Sequence, residues 1–221
     1  MTVDDGTLNL ADLRRQYAED SDAWLDRLPA DPWEEFAQWF ALAHGSHVTE
    51  PNAMVLATAS PEGAPLARTV LMKGFEGGEV YFFSQRVSRK GRHIAANPSV
   101  ALLFPWHPIE RQVAMTGICG EVDPALTERY FAERPRLSRI AAWASEQSSP
   151  LTSYAELDRR FQDELARHER SAEVPLPPSW TGYRVRVTSM EFWRGKANRL
   201  HERAIYRATP DGGWTVELLN P

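Results

Sequence analysis

Cysteine is nearly absent from this sequence, since Cys119 is the single one among 221 residues. One cysteine excludes an internal disulfide and any metal site built from several thiolates, and such usage is typical of a reducing cytoplasm. Long apolar runs are missing too, because no uncharged stretch approaches the roughly 20 residues of a membrane-spanning helix. Residues 1–13 hold no apolar run of signal-peptide length. We therefore expect a cytoplasmic protein without a membrane partner.

Excess positive charge is also absent. Lysine and arginine total 25 against 30 aspartates and glutamates, which gives a formal net charge of −5. A nucleic-acid partner selects for a strongly basic face, so we expect none. The sequence lacks GxGxxG, P-loop and GxSxG motifs. His44 and His47 have few carboxylates nearby, and we predict no metal site because metal ligands need supporting hydrogen-bond partners.

What the sequence does contain is hydrophobic residues, at 43%, and punctuated strand-like segments. Asp31-Pro32 is typical of an N-cap followed by proline at the first helical position, and it predicts a helix to about Gly45. Strand-like segments separated by turn-forming residues predict strands at 53–59, 65–74, 79–84, 99–106, 111–122, 183–193, 202–208 and 214–218. Further helices are predicted at 88–97, 124–131, 134–145 and from the capping box at 153. The fold class is therefore α+β, mainly antiparallel β, with five or six strands in a small barrel and peripheral helices.

Two basic segments are candidates for binding phosphate. Arg68 lies in an apolar strand with Lys73 five residues on, so a regular strand would point the two side chains to opposite faces. Arg89 and Lys90 follow Ser88 at the start of a predicted helix, where free backbone N–H groups and the helix dipole favour an anion. The alternative is a solvated basic turn.

Two later clusters carry similar chemistry. Tyr130, Arg134 and Ser138 recur at every fourth residue, so a continuous helix would present a phenol, a guanidinium and a hydroxyl on one face. A proline at 135 would interrupt that helix, and exposed arginines are the alternative. Strand alternation would put Arg199, His201 and Arg203 on one face, where they could bind an anionic ring or form a solvated strand edge.

The order of several short stretches adds a resemblance to these local patterns. The chain resembles the pyridoxine/pyridoxamine 5'-phosphate oxidase family across about residues 10–221. The matching stretches are LRRQY at 13–17, RTVLMK at 68–73, SRK at 88–90, FPW at 104–106 with ERQV at 110–113, YF at 130–131 with RPR at 134–136, QSS at 147–149, PLP at 175–177, EFW at 191–193 and RLHER at 199–203. Nine short matches in the family's order are specific together.

The resemblance implies an FMN-binding split β-barrel that works as a homodimer with two FMN sites at the subunit interface. It implies a single domain over residues 1–221, with residues 1–20 as a mobile N-terminal cover and residues 177–221 as C-terminal strands that complete the active site. It also implies an enzyme that converts pyridoxine 5'-phosphate and pyridoxamine 5'-phosphate to pyridoxal 5'-phosphate. Hydride passes to the flavin, O2 is the acceptor and H2O2 is the product.

The same resemblance assigns the residues of the site. One wall of the FMN site would be lined by Arg68, Thr69, Val70, Leu71, Met72, Lys73, Phe83, Ser84, Arg89, Lys90 and Gln112. The partner chain would supply Gln147, Ser148, Trp193 and Arg203. The substrate phosphate would be held by Lys73, Tyr130, Arg134 and Ser138, and the substrate would be covered by Arg14, Arg15, Gln16 and Tyr17. The catalytic pair would be Arg199 and His201 over the pyridine ring, where His201 is either a base or an orienting group.

Three departures from the family pattern leave questions open. Phe83-Ser84 stands where Tyr-Thr is common, and Leu137 and Arg139 flank Ser138 where smaller or neutral polar residues are frequent. The competing enzyme is the related flavin oxidase of phenazine biosynthesis, which shares the Arg-Leu-His-Glu-Arg stretch. The competing protein of another class is a non-catalytic carrier or sensor that binds flavin or pyridoxal phosphate.

Overall fold

The computed structural model describes Tyr17 and residues 22–221. Arg14, Arg15 and Gln16, which the resemblance assigns to the substrate cover, lie outside the described residues. The described part contains five α-helices around one sheet. The helices are α1 (Pro32–Gly45), α2 (Arg89–Ala96), α3 (Pro124–Glu133), α4 (Arg136–Ala144) and α5 (Tyr154–Arg167).

Side-chain caps set where four of these helices begin. The N–H groups of a helix's first turn have no partner within the helix, and an oxygen just before the helix satisfies one of them. Asp31 accepts from the Trp33 amide, and Ser88, Asp123 and Ser153 do the same for α2, α3 and α5. The starts predicted from the sequence at these caps are therefore confirmed.

The sheet has nine strands and every pairing in it is antiparallel. The strands are β1 (Ala53–Ala59), β2 (Pro65–Leu71), β3 (Gly74–Glu76), β4 (Glu79–Gln85), β5 (Ser99–Trp106), β6 (Arg111–Glu121), β7 (Trp180–Arg194), β8 (Glu202–Ala208) and β9 (Trp214–Leu218). Their order is β2-β1-β5-β6-β7-β4-β3, and β8 joins β7 to β9. The sheet curls into a half-barrel, so the predicted α+β split barrel is confirmed.

Two details of the predicted strands are wrong. Eight strand segments were predicted, five or six of them in the barrel, whereas the structure has nine strands in one sheet that the hairpin β8–β9 joins through β7. The predicted strand at 65–74 is also two strands. It ends at Leu71, and β3 begins at Gly74 and pairs with β4 instead.

Strand β7 is 15 residues long and is the longest element of the sheet. Its first half pairs with β4, its second half pairs with β8, and most of its length pairs with β6. The β6 ladder shifts register between Thr116 and Gly117. A Cβ at Gly117 would lie 2.3 Å from the carbonyl oxygen of Arg186, so glycine is required where the two backbones approach closely.

Aromatic rings fill the core between α1 and the sheet. The ring of Phe36 lies 5.1 Å from Phe104 and 5.9 Å from Trp106, and the ring of Trp39 lies 5.1 Å from Phe192. Phe36 and Phe104 are fully buried. Truncation of such a side chain to alanine typically costs about 3–5 kcal/mol, so this cluster holds α1 firmly on the strands.

Among the helices that the structure describes, none combines the length and apolarity needed to cross a membrane. Residues 22–221 with Tyr17 also contain no group of three or more histidine, cysteine, aspartate or glutamate side chains that could hold a metal ion.

Candidate active site

A cavity of about 810 Å³ opens where β2, β4, α3 and α4 meet. Its side chains come from six elements and the loops beside them. The lining residues are Arg68, Thr69, Val70, Leu71, Lys73, Phe83, Ser84, Gln85, Lys90, Tyr130, Glu133, Arg134, Pro135, Ser138, Ala141, Ala142, Ser145, Gln147 and Trp180. The cavity therefore unites both phosphate-handling groups that the sequence singled out at 68–90 and at 130–138.

Arg68 is held by neutral oxygens at one guanidinium nitrogen, and its other terminal nitrogen can still donate to a ligand. Its Nη1 donates to the carbonyl of Leu56 at 2.9 Å and to the hydroxyl of Thr58 at 2.8 Å. Its Nη2 is buried and has no hydrogen-bond partner among the described residues. Burial, and then the charge of Arg89, lower the pKa of Arg68. A buried guanidinium with an unused N–H is suited to an anionic ligand.

Lys90 is the second cation of this wall. Its ammonium donates to Ser84 Oγ at 2.9 Å, to Ser88 Oγ at 3.3 Å and to Gln147 Oε1 at 2.7 Å. All three acceptors are neutral, and only 7% of the residue is exposed. Burial, with a contribution from the charge of Arg68, lowers its pKa to about 8. The site thus holds two close cations that a phosphate would stabilise.

Gln85 holds the Gln147 loop against β4. The Gln85 amide nitrogen donates to the carbonyls of Ala142 and Ser145, at 3.1 and 2.7 Å, and its oxygen accepts from the Gln147 amide at 3.0 Å. The side-chain oxygen of Gln147 accepts from Lys90 and also from Ser84, at 2.9 Å. The Gln147 amide group is thereby oriented with its oxygen toward the cations.

These contacts correct one sequence-based assignment. Gln147 was expected to reach the FMN site from the partner chain, but it bonds Lys90 of its own chain. Its neighbour Ser148 has a φ of 74° in the same loop. The local reason is the Gln85 clamp, which ties this loop to β4 of the same chain.

The candidate phosphate-binding side chains of α3 and α4 line one cavity on either side of a helix break. The helix breaks between Glu133 and Arg136, so no continuous helical face exists. Tyr130, Arg134 and Ser138 nevertheless all line the cavity, because the break turns α4 around its rim. The two separate helices predicted at 124–131 and 134–145 are thus confirmed, and the three side chains share the cavity without a continuous helical face.

Arg134 has no acidic partner among the described residues. Its guanidinium lies 5.0 Å from the ring of Trp180 and 5.6 Å from the ring of Phe131. Its Nη1 is buried and makes no hydrogen bond within the described chain. Burial lowers its pKa, and Tyr130 partly offsets the effect. Arg134 is therefore a desolvated cation with a free donor at the cavity.

Three other predicted residues of this wall differ in placement. Lys73 follows the end of β2 at Leu71, so strand alternation does not apply and Lys73 lines the same cavity as Arg68. Met72 is 4% exposed and packs in the core instead of the cavity. Arg89 is exposed and does not line the cavity, although its charge acts on Arg68.

The structure also shows the contacts of the residues that differ from the family pattern at positions 83 and 139. The ring of Phe83 stacks on Tyr130 with centroids 3.9 Å apart, while Ser84 makes the polar contacts of this pair. Leu137 is 58% exposed. Arg139 lines a separate cavity with Glu128 and Glu173, so its charge is directed away from the Ser138 side of α4.

A second group of predicted residues lies at the other end of β7. Trp193 is in register with Gln112 on β6 and with Arg203 on β8. The ring of His201 lies 4.7 Å from Trp193, and the ring of Tyr17 lies edge-on to both, at 5.3 and 5.8 Å. Gln112, which was expected beside Arg68, thus belongs to this group within the chain.

The arginines of this group are held by the hairpin itself. Arg203 donates to Glu191 at 2.8 and 2.9 Å and to the Asn220 carbonyl at 2.9 Å. Arg199 is exposed at the end of a short turn in which Asn198 and Arg199 have φ values of 57° and 64°. No strand runs from 199 to 203 in this described hairpin, so the expected strand alternation there is wrong.

His201 is oriented by the backbone of the same turn. Its Nδ1 accepts from the Lys196 amide at 3.2 Å, so the neutral ring carries its proton on Nε2. Burial and the charge of Arg199 lower the pKa of His201. At neutral pH the ring is therefore an Nε2–H donor.

Sequence reasoning missed Gln85 and Trp180. Trp180 begins β7, is 6% exposed and lines the cavity between Phe83 and Arg134. Neither residue belongs to a recognisable motif. The position of Trp180, two residues after a proline-rich segment and just before a predicted strand, was the available signal.

Comparison with known proteins gives matches along nearly the whole chain. A family model described as pyridoxamine 5'-phosphate oxidase matches residues 43–167, and one described as the pyridoxine 5'-phosphate oxidase C-terminal dimerisation region matches residues 180–221. A pyridoxine/pyridoxamine 5'-phosphate oxidase of Salinispora arenicola is 43% identical over 221 residues, which is 100% of both chains. Its counterpart in Rubrobacter xylanophilus is 48% identical and covers 96% of this chain and 97% of its own.

Solved structures share the fold. PhzG from Burkholderia lata 383, crystallised with tetrahydrophenazine-1-carboxylic acid, superposes with a TM-score of 0.84 at 27% identity, covering 90% of this chain and 97% of its own. An FMN-binding protein of Nostoc punctiforme, described as related to pyridoxamine 5'-phosphate oxidase, has a TM-score of 0.70 at 18% identity. It covers 86% of this chain and 98% of its own, and supports the fold alone.

Proposed function

The chain belongs to the pyridoxamine 5'-phosphate oxidase family, and from this premise we propose that it oxidises pyridoxine 5'-phosphate and pyridoxamine 5'-phosphate to pyridoxal 5'-phosphate, with FMN as cofactor. The observation that carries the proposal is the cavity, where one volume of about 810 Å³ is bordered by Arg68, Lys73, Lys90 and Arg134. A flavin mononucleotide and a phosphorylated substrate together bring two phosphates, and these cations could serve both.

The donor set fits the phosphate of FMN. Among the residues that the structure describes, Arg68 has a buried N–H without a partner and Lys90 is bonded to neutral oxygens alone. A dianion there would take up the unused donor and would restore the charge that burial disfavours on Lys90. When bound, FMN supplies the hydride acceptor, and its reoxidation by O2 releases H2O2.

The opposite wall fits the phosphate of the substrate. Arg134 offers a buried donor that is unpaired within the described part of the chain, Tyr130 and Ser138 add neutral hydroxyls, and Lys73 adds a point charge. A guanidinium with two neutral donors and an ammonium is an arrangement suited to a phosphomonoester. We infer that these four side chains fix the substrate by its phosphate, which is remote from the bond that reacts.

The reacting end of the substrate is assigned to the hairpin between β7 and β8. His201 presents Nε2–H as a donor because its Nδ1 is occupied by the Lys196 amide. Arg199 adds a positive charge on the same turn. We propose that the pair orients the pyridine ring and favours charge that forms on it, while Tyr17 covers the pair from the solvent side. In this role His201 works as a neutral donor and not as a base.

We infer that the two halves of the site come from two chains. Trp180 and Trp193 are thirteen residues apart on one strand, which corresponds to about 43 Å of strand at about 3.3 Å per residue. A single small substrate cannot reach both ends of β7. We propose a homodimer in which the cavity of one chain is completed by the hairpin of the other, which agrees with the matched dimerisation region at 180–221.

Two alternative functions are to be distinguished by experiment. The fold similarity to PhzG supports a phenazine-type flavin oxidase, and the carboxylate of such a substrate could also pair with Arg134. The four donors at Lys73, Tyr130, Arg134 and Ser138 favour a phosphate instead, because it offers more acceptor oxygens than a carboxylate. A non-catalytic carrier of flavin or pyridoxal phosphate would need the cavity but not the hairpin pair.

Flavin absorbance of the purified protein under anaerobic conditions tests the proposal. Addition of pyridoxine 5'-phosphate should bleach the flavin, form pyridoxal 5'-phosphate and allow colour to return with air. A protein that stays yellow would overturn the substrate assignment and favour the phenazine-type oxidase. A colourless protein that cannot be reconstituted with FMN would overturn the cofactor assignment.

A further inference from the structure

Three aromatic rings at the cavity wall lie nearly parallel to one another. Phe83 contacts Tyr130 at a centroid distance of 3.9 Å with 8° between the planes, and it contacts Trp180 at 5.2 Å with 9°. Tyr130 and Trp180 are 6.1 Å apart with 2° between planes. The rings come from β4, α3 and the first residue of β7. Stacked rings from three elements restrict one another's positions.

The sheet is shaped to admit this stack. Phe83 is in register with Gly182 on β7, and a Cβ at 182 would lie 2.6 Å from the Phe83 ring. The Gly182 amide donates to Thr127 Oγ1 at 3.1 Å, one helical turn before Tyr130. The glycine therefore makes room for the ring and also docks α3, so Tyr130 reaches the stack from a fixed helix.

Arg134 completes the arrangement on Trp180. Its guanidinium is 5.0 Å from the Trp180 ring centre, and its buried Nη1 has no hydrogen-bond partner among the described residues. A cation held over an indole loses freedom without losing its N–H donors to another acceptor. The buried Nη1 consequently stays available to a ligand.

We propose that Trp180 is a positioning residue for substrate phosphate. Its ring aligns Tyr130 through Phe83 and contacts Arg134 directly. One side chain therefore sets the geometry of two of the four side chains that bind the substrate phosphate. The inference rests on the proposed function, because it takes the ligand at Tyr130 and Arg134 to be the phosphate of the substrate. It makes Trp180 a determinant of the preference for phosphorylated over unphosphorylated substrate.

The test compares two substrates in each variant. We expect Trp180→Leu to lower the ratio of kcat/KM for pyridoxine 5'-phosphate over that for pyridoxine by about five- to thirtyfold, chiefly through KM for the phosphate ester. Trp180→Phe keeps a ring and should retain most of the ratio. Trp143→Leu on α4 is the matched control, since Trp143 bonds the Pro175 carbonyl outside the cavity, and it should leave the ratio unchanged.

A second measurement does not depend on turnover. Equilibrium dialysis of the FMN-loaded protein against pyridoxal 5'-phosphate and against pyridoxal should show weaker binding of the phosphate ester alone in Trp180→Leu. An equal loss for both ligands and both substrates would overturn the proposal, because it would leave Trp180 a purely structural role. Absence of any phosphate preference in the unmodified protein would overturn the proposed substrate instead, so the two failures are distinguishable.

Discussion

Raising the pH from 7 to 9 should weaken the binding of FMN to this protein about tenfold, and Lys90 is the reason. Burial lowers the pKa of Lys90 to about 8 in the ligand-free cavity. About nine-tenths of the ammonium is therefore charged at pH 7 and about one-tenth at pH 9. A phosphate dianion beside it favours the charged form and raises the pKa of Lys90 in the complex. Binding above pH 8 must then take up a proton, and affinity falls as pH rises.

The magnitude follows from the two charged fractions. Their ratio is about ten, which corresponds to about 1.4 kcal/mol of binding free energy. The phosphate stays dianionic throughout this range because its second pKa is about 6. Quenching of flavin fluorescence on titration with apoprotein, at constant ionic strength, gives the dissociation constant at each pH.

Two controls separate Lys90 from other sources of pH dependence. Riboflavin lacks the phosphate, so its weaker binding should change little between pH 7 and pH 9. Lys90→Gln should bind FMN more weakly and with a flat profile, since no ammonium titrates. Equal slopes for FMN and riboflavin, or for the variant and the unmodified protein, would refute the reasoning.

Three further experiments test other parts of the molecule. Gln85→Leu removes the hydrogen bonds that hold the Gln147 loop and leaves two carbonyls and one amide without their partner. The free energy of unfolding in urea should fall by about 2–4 kcal/mol, with weaker FMN binding. Gln162→Leu on the exposed face of α5 is the control, and equal losses in the two variants would contradict the role of Gln85. Arg134→Ala should chiefly raise the KM of the phosphate ester, whereas Arg199→Ala should leave a yellow protein with slow turnover. When the Arg134→Ala and Arg199→Ala variants are refolded together in equal amounts, half of the dimers contain one chain of each, and one of the two sites in such a dimer carries neither substitution. About a quarter of the activity should therefore return if each site uses both chains, and no recovery would count against the shared site. Cys119 is 4% exposed and burial raises its pKa to about 12, so a thiol reagent at pH 8 should label it in the unfolded protein and not in the folded one; fast labelling of folded protein would contradict its burial.

Local chemistry made much of the secondary structure predictable from the sequence. Helix α1 and strand β5 have the predicted bounds, because an N-cap with a following proline and a run between turn residues act over a few neighbouring positions. The pairing of β7 with three other strands could not be predicted in this way. Strand pairing depends on tertiary contacts between residues far apart in sequence.

The candidate site was predictable as a set of residues but not as an arrangement. Arg68 and Lys73 share a cavity because the strand ends between them, which periodicity alone does not reveal. Arg134 and Ser138 converge through a helix break. Gln85 gave no signal at all, since its role consists of hydrogen bonds to a loop about 60 positions later.

The turn that carries Arg199 stores backbone strain. Asn198 and Arg199 both adopt left-handed backbone conformations, and such a conformation at a non-glycine residue typically costs on the order of 1 kcal/mol or more. Arg199→Gly would relieve this strain and would also remove the guanidinium that we propose to face the pyridine ring, so stability and turnover are expected to change in opposite directions at this turn.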